Sequence, residues 1–279
     1  MRSLHDYLSL LREDFVPSSK VCSIFSSDTT PFRDLKALDD DDDLEKVHRS
    51  LEMWSMYGRR GMTPSYQKVM ETIFSCPSRK PWSKAASGTS VFRGVWRTPE
   101  MLKKMNIRLT KSVLFPLDSS ISNEAWIYGT GTYTPAESLH SWTKLSSIAG
   151  KFAEGKFVRK DYTATTASMI MHYKVTDPSK TIDLEKVSID PASDFKEKEV
   201  VLHGTGNMTV QFALRLDQLI VKDGKGKPTA EGTEEMLNRT IGGANAEIVL
   251  NDPRFNKKFS HLFGMARMAA YYASKGSRG

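Results

Sequence analysis

The sequence changes character near residue 85, and this change constrains the fold more than any other feature of the chain. Before it, apolar side chains recur at helical spacing. The clearest series are Leu4, Leu8, Leu11, Phe15 and Leu44, Val47, Leu51, Trp54. Thr63 and Pro64 then form a cap and a first-turn proline typical of a further helix. After a connector containing Pro, Ser and Lys, short apolar stretches bounded by turn residues follow.

These short stretches predict strands, with two helices among them. The strand candidates are 89–97, 112–117, 157–162, 168–175, 181–184, 199–203 and 209–214, and the helix candidates are 145–153 and 253–274. Helices that come first and strands that come later favour an α+β fold over an alternating parallel sheet. We therefore expect a helical N-terminal region over residues 1–84 and a second domain, rich in strands, over residues 85–279.

Composition and cysteine content narrow the class of protein. A chain of 279 residues with 39% hydrophobic content can bury a substantial core. No stretch approaches the roughly 18 apolar residues of a membrane span, and the first residues lack the apolar block of a signal peptide. Cys22 and Cys76 are the only cysteines, too few for a disulfide framework or a zinc site. We expect them to be spectators in a reducing compartment, and the protein to be soluble and cytoplasmic.

The charge distribution permits acidic partners without selecting one. The net charge is +7, from 40 Lys and Arg against 33 Asp and Glu, but the basic residues are dispersed. Nucleic acid is therefore a possible but less favoured partner. The run Asp39 to Asp43 is typical of a solvated linker. Neither Gly129-Thr130-Gly131 nor Gly204-Thr205-Gly206 has the spacing of a nucleotide-binding loop, so a nucleotide would have to be held in another way.

Arg93 stands inside an otherwise apolar strand candidate, in the run Val91-Phe92-Arg93-Gly94-Val95-Trp96-Arg97. A guanidinium in a half-buried strand needs an anion, and its planar fork suits a phosphate. Gly94 would let a ligand approach the backbone closely. The alternative is that Arg93 pairs with a core carboxylate.

Ser141 and Thr143 would share one face of a strand in the run Leu139-His140-Ser141-Trp142-Thr143. Their hydroxyls could hold a sugar or position a catalytic group, with Trp142 packed on the other side. A short helix carrying Ala149, Phe152 and Ala153 follows. Serine and threonine are also ordinary at strand ends and in helix caps.

Glu197 and Glu199 stand two residues apart where the apolar strand Val200-Val201-Leu202 begins. On an extended backbone both carboxylates would project from the same face, where like charges repel unless a substrate or cation uses them. A strand edge decorated with Lys and Glu against aggregation is the alternative explanation.

In this order, the three motifs resemble the Arg-Ser-Glu class of mono-ADP-ribosyltransferases. The resemblance covers roughly residues 88–216 and includes Phe92-Arg93-Gly94, the serine strand leading into a helix, and the Glu-x-Glu after an aromatic residue, Phe195. Thr143 stands where the family's Ser-Thr-Ser has its second serine, and Trp142 replaces the middle threonine. The chain looks most similar to bacteriophage members that modify host proteins.

The resemblance implies an ADP-ribosyltransferase-like split β-sheet core with a helical N-terminal region, and NAD as the substrate, without a metal. Arg93 would bind the NAD diphosphate, Ser141 would hold the catalytic glutamate, and Glu199 would stabilise charge as the glycosidic bond breaks. Gly94, Thr143 and Phe152 would complete the NAD site.

Glu197 and Phe195 are expected to select the acceptor. The Glu-x-Glu pattern goes with arginine acceptors in this family, because a guanidinium needs a nearby base before it can attack a sugar. The resemblance thus implies arginine modification of a target protein, possibly host transcription or translation machinery, in the host cytoplasm or from a virion, and auto-modification is possible. Three alternatives remain open: an acceptor that is nucleic acid or NAD-capped RNA, an inactive binding module, and a basic structural protein with coincidental motifs.

Overall fold

The computed structural model describes residues 16–33, 38, 40–57, 62–110, 126–154, 167–187, 198–215, 224–225 and 229–251. The helices are α1 (Ser18–Ser26), α2 (Asp42–Tyr57), α3 (Pro64–Ser75), α4 (Pro99–Lys104), α5 (Ser146–Ala153), α6 (Leu184–Val187), α7 (Ala230–Ile241) and α8 (Gly243–Leu250). The strands are β1 (Ser90–Arg97), β2 (Arg108–Thr110), β3 (Trp126–Tyr133), β4 (Leu139–Thr143), β5 (Ala167–Lys174), β6 (Thr181–Asp183), β7 (Glu199–His203) and β8 (Met208–Arg215). The predicted α+β class is confirmed.

The chain divides into two compact units, each assembled from separate segments. The first unit comprises residues 1–91, 135–144 and 174–205, and the second comprises residues 92–134, 145–173 and 206–279. Because these units are defined by compactness alone, the expected division into residues 1–84 and 85–279 stays a prediction.

In the first unit, β7 lies between β4 and β6 and is antiparallel to both. Helices α1, α2 and α3 belong to the same unit and bury their apolar faces together with residues of β4, β6, α6 and β7. The strand and α6 residues of this core are Leu139, Ile182, Leu184, Val187 and Val201. The helical layer therefore packs on the strand face that carries Leu139 and Val201.

In the second unit the strand order is β2-β3-β8-β5-β1. Strand β8 is antiparallel to β3 on one side and to β5 on the other. In the hydrophobic core of this unit, the even-numbered face of β1 packs against helix α5 through Phe92, Ala149 and Ala153. The indole N–H of Trp96 donates to the Ala153 carbonyl at 2.7 Å, on the same side of β1.

In the described part of the aspartate run, Asp41 to Asp43 do not form the expected linker, because they begin helix α2. Oδ1 of Asp41 accepts hydrogen bonds from the backbone N–H groups of Asp43 and Leu44, both at 3.1 Å. Asp41 is therefore the N-cap, and Asp42 and Asp43 occupy the first turn, where negative charge is favoured by the helix dipole. The linker interpretation was wrong because an acidic run is also what a helix N-terminus prefers.

The two cysteines are not spectators. Cys22 of α1 and Cys76, the C-cap of α3, form a disulfide across 54 residues of sequence. The crosslink ties the first helix of the layer to the third. It also removes the argument for a reducing compartment, because disulfides persist mainly in oxidising environments.

The predicted elements that fall on described residues are confirmed, namely the helices near 44–54, 64–75 and 145–153 and the strands 89–97, 168–175, 181–184, 199–203 and 209–214. Several others lie outside the described residues. These are the helices at 4–15 and 253–274 and the strands at 112–117 and 157–162. The split-sheet core of an ADP-ribosyltransferase stays a prediction.

Within the described ranges, no helix combines the length and the apolar character needed to cross a bilayer.

Candidate active site

The antiparallel pairing of β4 and β7 brings three predicted site residues of the first unit onto one face. Thr143 lies opposite Glu199, and Ser141 lies opposite Val201. Opposed residues of an antiparallel pair project to the same side, and so do residues two apart on one strand. Ser141, Thr143 and Glu199 therefore share the face that is covered, at Leu139 and Val201, by the helical layer.

Glu199 is buried, with 7% of its surface exposed. The indole Nε1–H of Trp54, on helix α2, donates a hydrogen bond to its Oε1 at 2.9 Å. Trp54 is itself only 1% exposed and belongs to the core of the helical layer. A buried carboxylate needs such donors, because an unpaired charge away from water is costly. The contact therefore satisfies two buried polar groups at once.

Ser141 does not hold Glu199 in this structure. Its position is diagonal to Glu199, a spacing of about 7–8 Å between strand neighbours. Both residues are described, and no hydrogen bond joins the Ser141 hydroxyl to the Glu199 carboxylate. The donor that the structure provides from a distant part of the chain is Trp54.

A charge network lies on the opposite face of the same strands. Nζ of Lys144 donates to both carboxylate oxygens of Asp183 at 2.7 Å and to Glu185 at 2.9 Å. The Asp183 side chain is completely buried. Burial by itself would lower the pKa of Lys144, but its hydrogen bonds to the two carboxylates outweigh burial and raise that pKa. Lys144 therefore stays charged at neutral pH.

Lys198, immediately before Glu199, is anchored at two points. Its carbonyl accepts a hydrogen bond from the Lys144 N–H at 3.0 Å, and its Nζ lies 3.2 Å from Glu185. Its φ of 47° is in the left-handed region, which is uncommon for a residue with a side chain. These contacts fix the backbone where β7 begins and therefore help to orient Glu199.

Arg93 lies in the second unit, on the odd-numbered face of β1, away from the face that packs on α5. It is half-buried, and its Nη1 atom is buried without a hydrogen-bond partner among the described residues. No core carboxylate pairs with that nitrogen in the described part of the chain. An unsatisfied guanidinium nitrogen of this kind suits an anion.

Arg97 adds positive charge on the same face of β1, four residues further on. Its guanidinium lies over the ring of Tyr133, 5.3 Å from the centroid. Burial lowers the pKa of Arg97, Tyr133 opposes that effect, and the positive charge of Arg93 lowers the pKa further.

Gly94 has a packing role that differs from the predicted one. A Cβ atom at this position would stand 1.9 Å from the Ala149 carbonyl oxygen and 2.7 Å from the Ala153 nitrogen. The space beside Gly94 is therefore taken by the backbone of α5, and not by an approaching ligand. Phe152, the remaining predicted NAD contact, lies on α5 and is half-buried.

Glu197 and Phe195, the predicted acceptor residues, lie outside the described residues. In the described ranges, no three His, Cys, Asp or Glu side chains gather in a group that could hold a metal ion.

Three residues around Glu199 were missed from the sequence. Trp54 appears there only as a core position of a helix, and its spacing from Glu199 contains no signal that the two meet. In the sequence, Lys144 is a lysine at the end of a predicted strand and Asp183 is a residue within another. No local pattern indicates that the two form a buried ion pair. The contacts of all three depend on the pairing of segments that are distant in sequence.

No protein-family model matches the chain, and the comparisons with curated proteins and with solved structures find no match either.

Proposed function

We propose that the protein is a mono-ADP-ribosyltransferase that moves ADP-ribose from NAD to arginine side chains of a target protein and releases nicotinamide. The observation that carries the proposal is the environment of Glu199. Its buried carboxylate accepts the Trp54 indole N–H and shares a strand face with Thr143 and Ser141. A buried carboxylate beside hydroxyl groups suits the stabilisation of positive charge that develops during a reaction.

NAD would enter as the substrate, and the buried Nη1 of Arg93, which has no hydrogen-bond partner among the described residues, fits its diphosphate. Arg97 would add a second positive charge on the same side of β1. The positive charges of Arg93 and Arg97 on one side of β1 favour a phosphate-bearing substrate over a neutral one. The ADP-ribosyltransferase-like split sheet is part of the same proposal.

The proposed reaction breaks the bond between the nicotinamide nitrogen and C1′ of the ribose, and nicotinamide leaves with the bonding electrons. Glu199 stabilises the positive charge that the ribose acquires in the transition state, so its contribution appears in kcat. An arginine Nη atom of the target then bonds to C1′ and loses a proton to a base. The resemblance implies that this base is Glu197 and that Phe195 contacts the acceptor.

The test is incubation of the protein with NAD labelled in the adenosine part and with a mixture of host-cell proteins. Released nicotinamide and labelled protein are both measured. We expect Glu199→Gln to lose both activities by roughly a hundred- to a thousandfold. We expect Glu197→Gln to lose arginine transfer while retaining NAD hydrolysis. Glu247→Gln, at an exposed position of α8, is the matched control and should behave as wild type.

The outcomes separate the proposal from its alternatives. A wild-type protein that releases no nicotinamide with any acceptor is a binding module, and the proposed activity is then wrong. Mass spectrometry of the labelled product identifies the acceptor. Label on RNA or on a nucleotide cap, in place of arginine, would retain the chemistry and change the substrate class, which the net charge of +7 permits.

The proposed setting is the cytoplasm of a host cell, with a virion as a second place from which the protein could act. The Cys22–Cys76 disulfide weighs against a permanently reducing location. Alkylation of free thiols before lysis, followed by mass spectrometry, would determine the state of the pair in the producing cell. A fully reduced pair would favour the cytoplasm.

A further inference from the structure

The bond between Trp54 and Glu199 joins two residues that are 145 positions apart. Trp54 is held by the core of helices α1 to α3, and Glu199 is the first residue of β7. Each partner is more than nine-tenths buried. The indole is rigid and has one N–H donor, so its position in the core determines where that donor points. Helix α2 therefore sets the orientation of the Glu199 carboxylate.

Of the described residues on the same strand face, Ser141 does not duplicate this contact. Ser141 makes no hydrogen bond with Glu199, and its partner position on β7 is Val201. Lys144 and Lys198 are engaged on the opposite face with Asp183 and Glu185. A charged acceptor forms a stronger hydrogen bond than a neutral one, so the indole N–H favours the ionised carboxylate.

We propose that Trp54 is a positioning residue of the active site, and that its indole N–H holds the Glu199 carboxylate in the orientation that acts on the substrate. The inference rests on the proposed function and extends it, because it makes the helical N-terminal layer part of the catalytic machinery. Trp54 touches Glu199 and acts through it.

The first test needs no enzyme activity. The chain contains five tryptophans, so a spectrum of the protein labelled with 15N-tryptophan has five indole N–H signals. Trp54→Phe identifies the Trp54 signal by its loss. Glu199→Gln should move that signal upfield and speed its exchange with solvent, because a neutral acceptor forms a weaker bond than a carboxylate. An unchanged Trp54 signal in Glu199→Gln would overturn the proposal.

Trp82 provides a matched control in the same unit. Its Nε1–H donates to the Ser27 carbonyl at 2.9 Å, so Trp82→Phe also removes one indole donor from the helical layer. The Trp82 signal should not respond to Glu199→Gln. A general response of all five signals would indicate a global structural change, and would count against a specific bond.

The second test is kinetic. Trp54→Phe retains an aromatic ring and removes the donor, and a hydrogen bond to a charged group typically contributes about 1.5–3 kcal/mol. We expect kcat for nicotinamide release to fall about ten- to a hundredfold, with KM for NAD nearly unchanged, because the bond acts on the transition state. Trp82→Phe should match wild type. A rise in KM with unchanged kcat would overturn the assignment of Trp54.

The two tests distinguish their possible failures. If wild type does not cleave NAD, the proposed function is wrong, while the NMR experiment still decides whether Trp54 orients Glu199. If Trp54→Phe does not fold, the remaining tryptophans are assigned by Phe substitution, and the Trp54 signal is identified by elimination. The NMR experiment with Glu199→Gln then decides the proposal by itself.

Discussion

Thr143 lies directly opposite Glu199 in the antiparallel pair of β4 and β7. Cβ atoms of opposed residues are about 4.5–5.5 Å apart, which is closer than the diagonal spacing from Glu199 to Ser141. On strand β4, the residue nearest to Glu199 is thus Thr143, which carries the second hydroxyl of the Ser-Trp-Thr motif. The family resemblance instead implied that Ser141, the first hydroxyl residue, holds Glu199 in place.

Replacement of Thr143 by valine should therefore affect catalysis. Thr143→Val retains the β-branched shape and removes the hydroxyl beside the carboxylate. We expect kcat for nicotinamide release to fall about two- to tenfold, because a neutral hydrogen bond contributes about 0.5–1.5 kcal/mol. Thr209→Val, at an exposed position of β8, is the control. Equal activities of the two variants would contradict the prediction.

Lys144 and Asp183 should depend strongly on one another for the stability of the fold. Lys144→Met leaves the fully buried Asp183 carboxylate without its partner, at an expected cost of about 3–5 kcal/mol. Lys144→Met combined with Asp183→Leu should cost much less than the sum of the two single changes. Urea denaturation at neutral pH measures each value. Glu185→Gln weakens the more exposed contacts that Glu185 makes with Lys144 and Lys198, and should cost at most about 1 kcal/mol.

Gly94 should not tolerate even one added carbon atom. In Gly94→Ala the new Cβ would stand 1.9 Å from the Ala149 carbonyl oxygen, so β1 and α5 must separate. Overpacking of this kind typically costs about 1–3 kcal/mol. Gly206→Ala is the control, because nothing lies within 4 Å of a Cβ at that position. Thermal unfolding of the two variants side by side would test the difference, and equal melting temperatures would refute it.

The Cys22–Cys76 disulfide should contribute substantially to stability. It closes a loop of about 55 residues, for which the chain-entropy relation predicts about 4 kcal/mol. The double variant Cys22→Ser and Cys76→Ser should lose roughly this amount in denaturant unfolding. Reducing agent should lower wild type to the level of the variant and leave the variant unchanged. A variant as stable as oxidised wild type would show that the crosslink is dispensable.

His203 should make stability depend on pH in the weakly acidic range. Burial lowers the pKa of His203, which stacks on the ring of Phe74 at 4.9 Å. The unfolded chain therefore binds more protons than the folded one as pH falls through the ordinary histidine value of about 6.5. The free energy of unfolding should therefore decrease as the pH is lowered through that window, because the unfolded state binds more protons than the native state.

The measurement for His203 compares slopes. Melting temperatures of wild type and His203→Gln are determined across about pH 5 to 8. The variant loses the stacking contact at every pH, which shifts its whole curve, but its slope below about pH 6.5 should be smaller. Parallel curves would assign the pH dependence to another group.

Local patterns predicted the elements whose signals lie within one stretch of chain. Thr63 caps α3 through a hydrogen bond from the Tyr66 N–H, as its position before Pro64 indicated. Strand β7 begins and ends at the predicted residues, because alternation and a run of Val and Leu suffice to define it. The capping role of Asp41 was misread, since the same acidic residues suit either a linker or a helix start.

Strand β3 was missed for a tertiary reason. Its glycines suggest a turn, yet a Cβ at Gly129 would stand 2.5 Å from the Arg108 carbonyl of the paired strand β2 and 2.7 Å from the Phe212 ring. The glycines are needed because a neighbouring strand and an aromatic side chain approach closely. No pattern within 126–133 contains that information.

The amino-acid sequence by itself determined the α+β class, most of the helices and strands, and the sharing of one strand face by Ser141 and Thr143. Periodicity and capping report backbone conformation over a few residues, so they suffice for these features. Only the tertiary structure decided that Trp54 bonds to Glu199, that Lys144 neutralises Asp183, and that Cys22 meets Cys76. Those contacts join segments that are 39 to 145 residues apart in sequence. The segments are brought together when their apolar faces pack, and no single segment contains all the residues that take part in that packing.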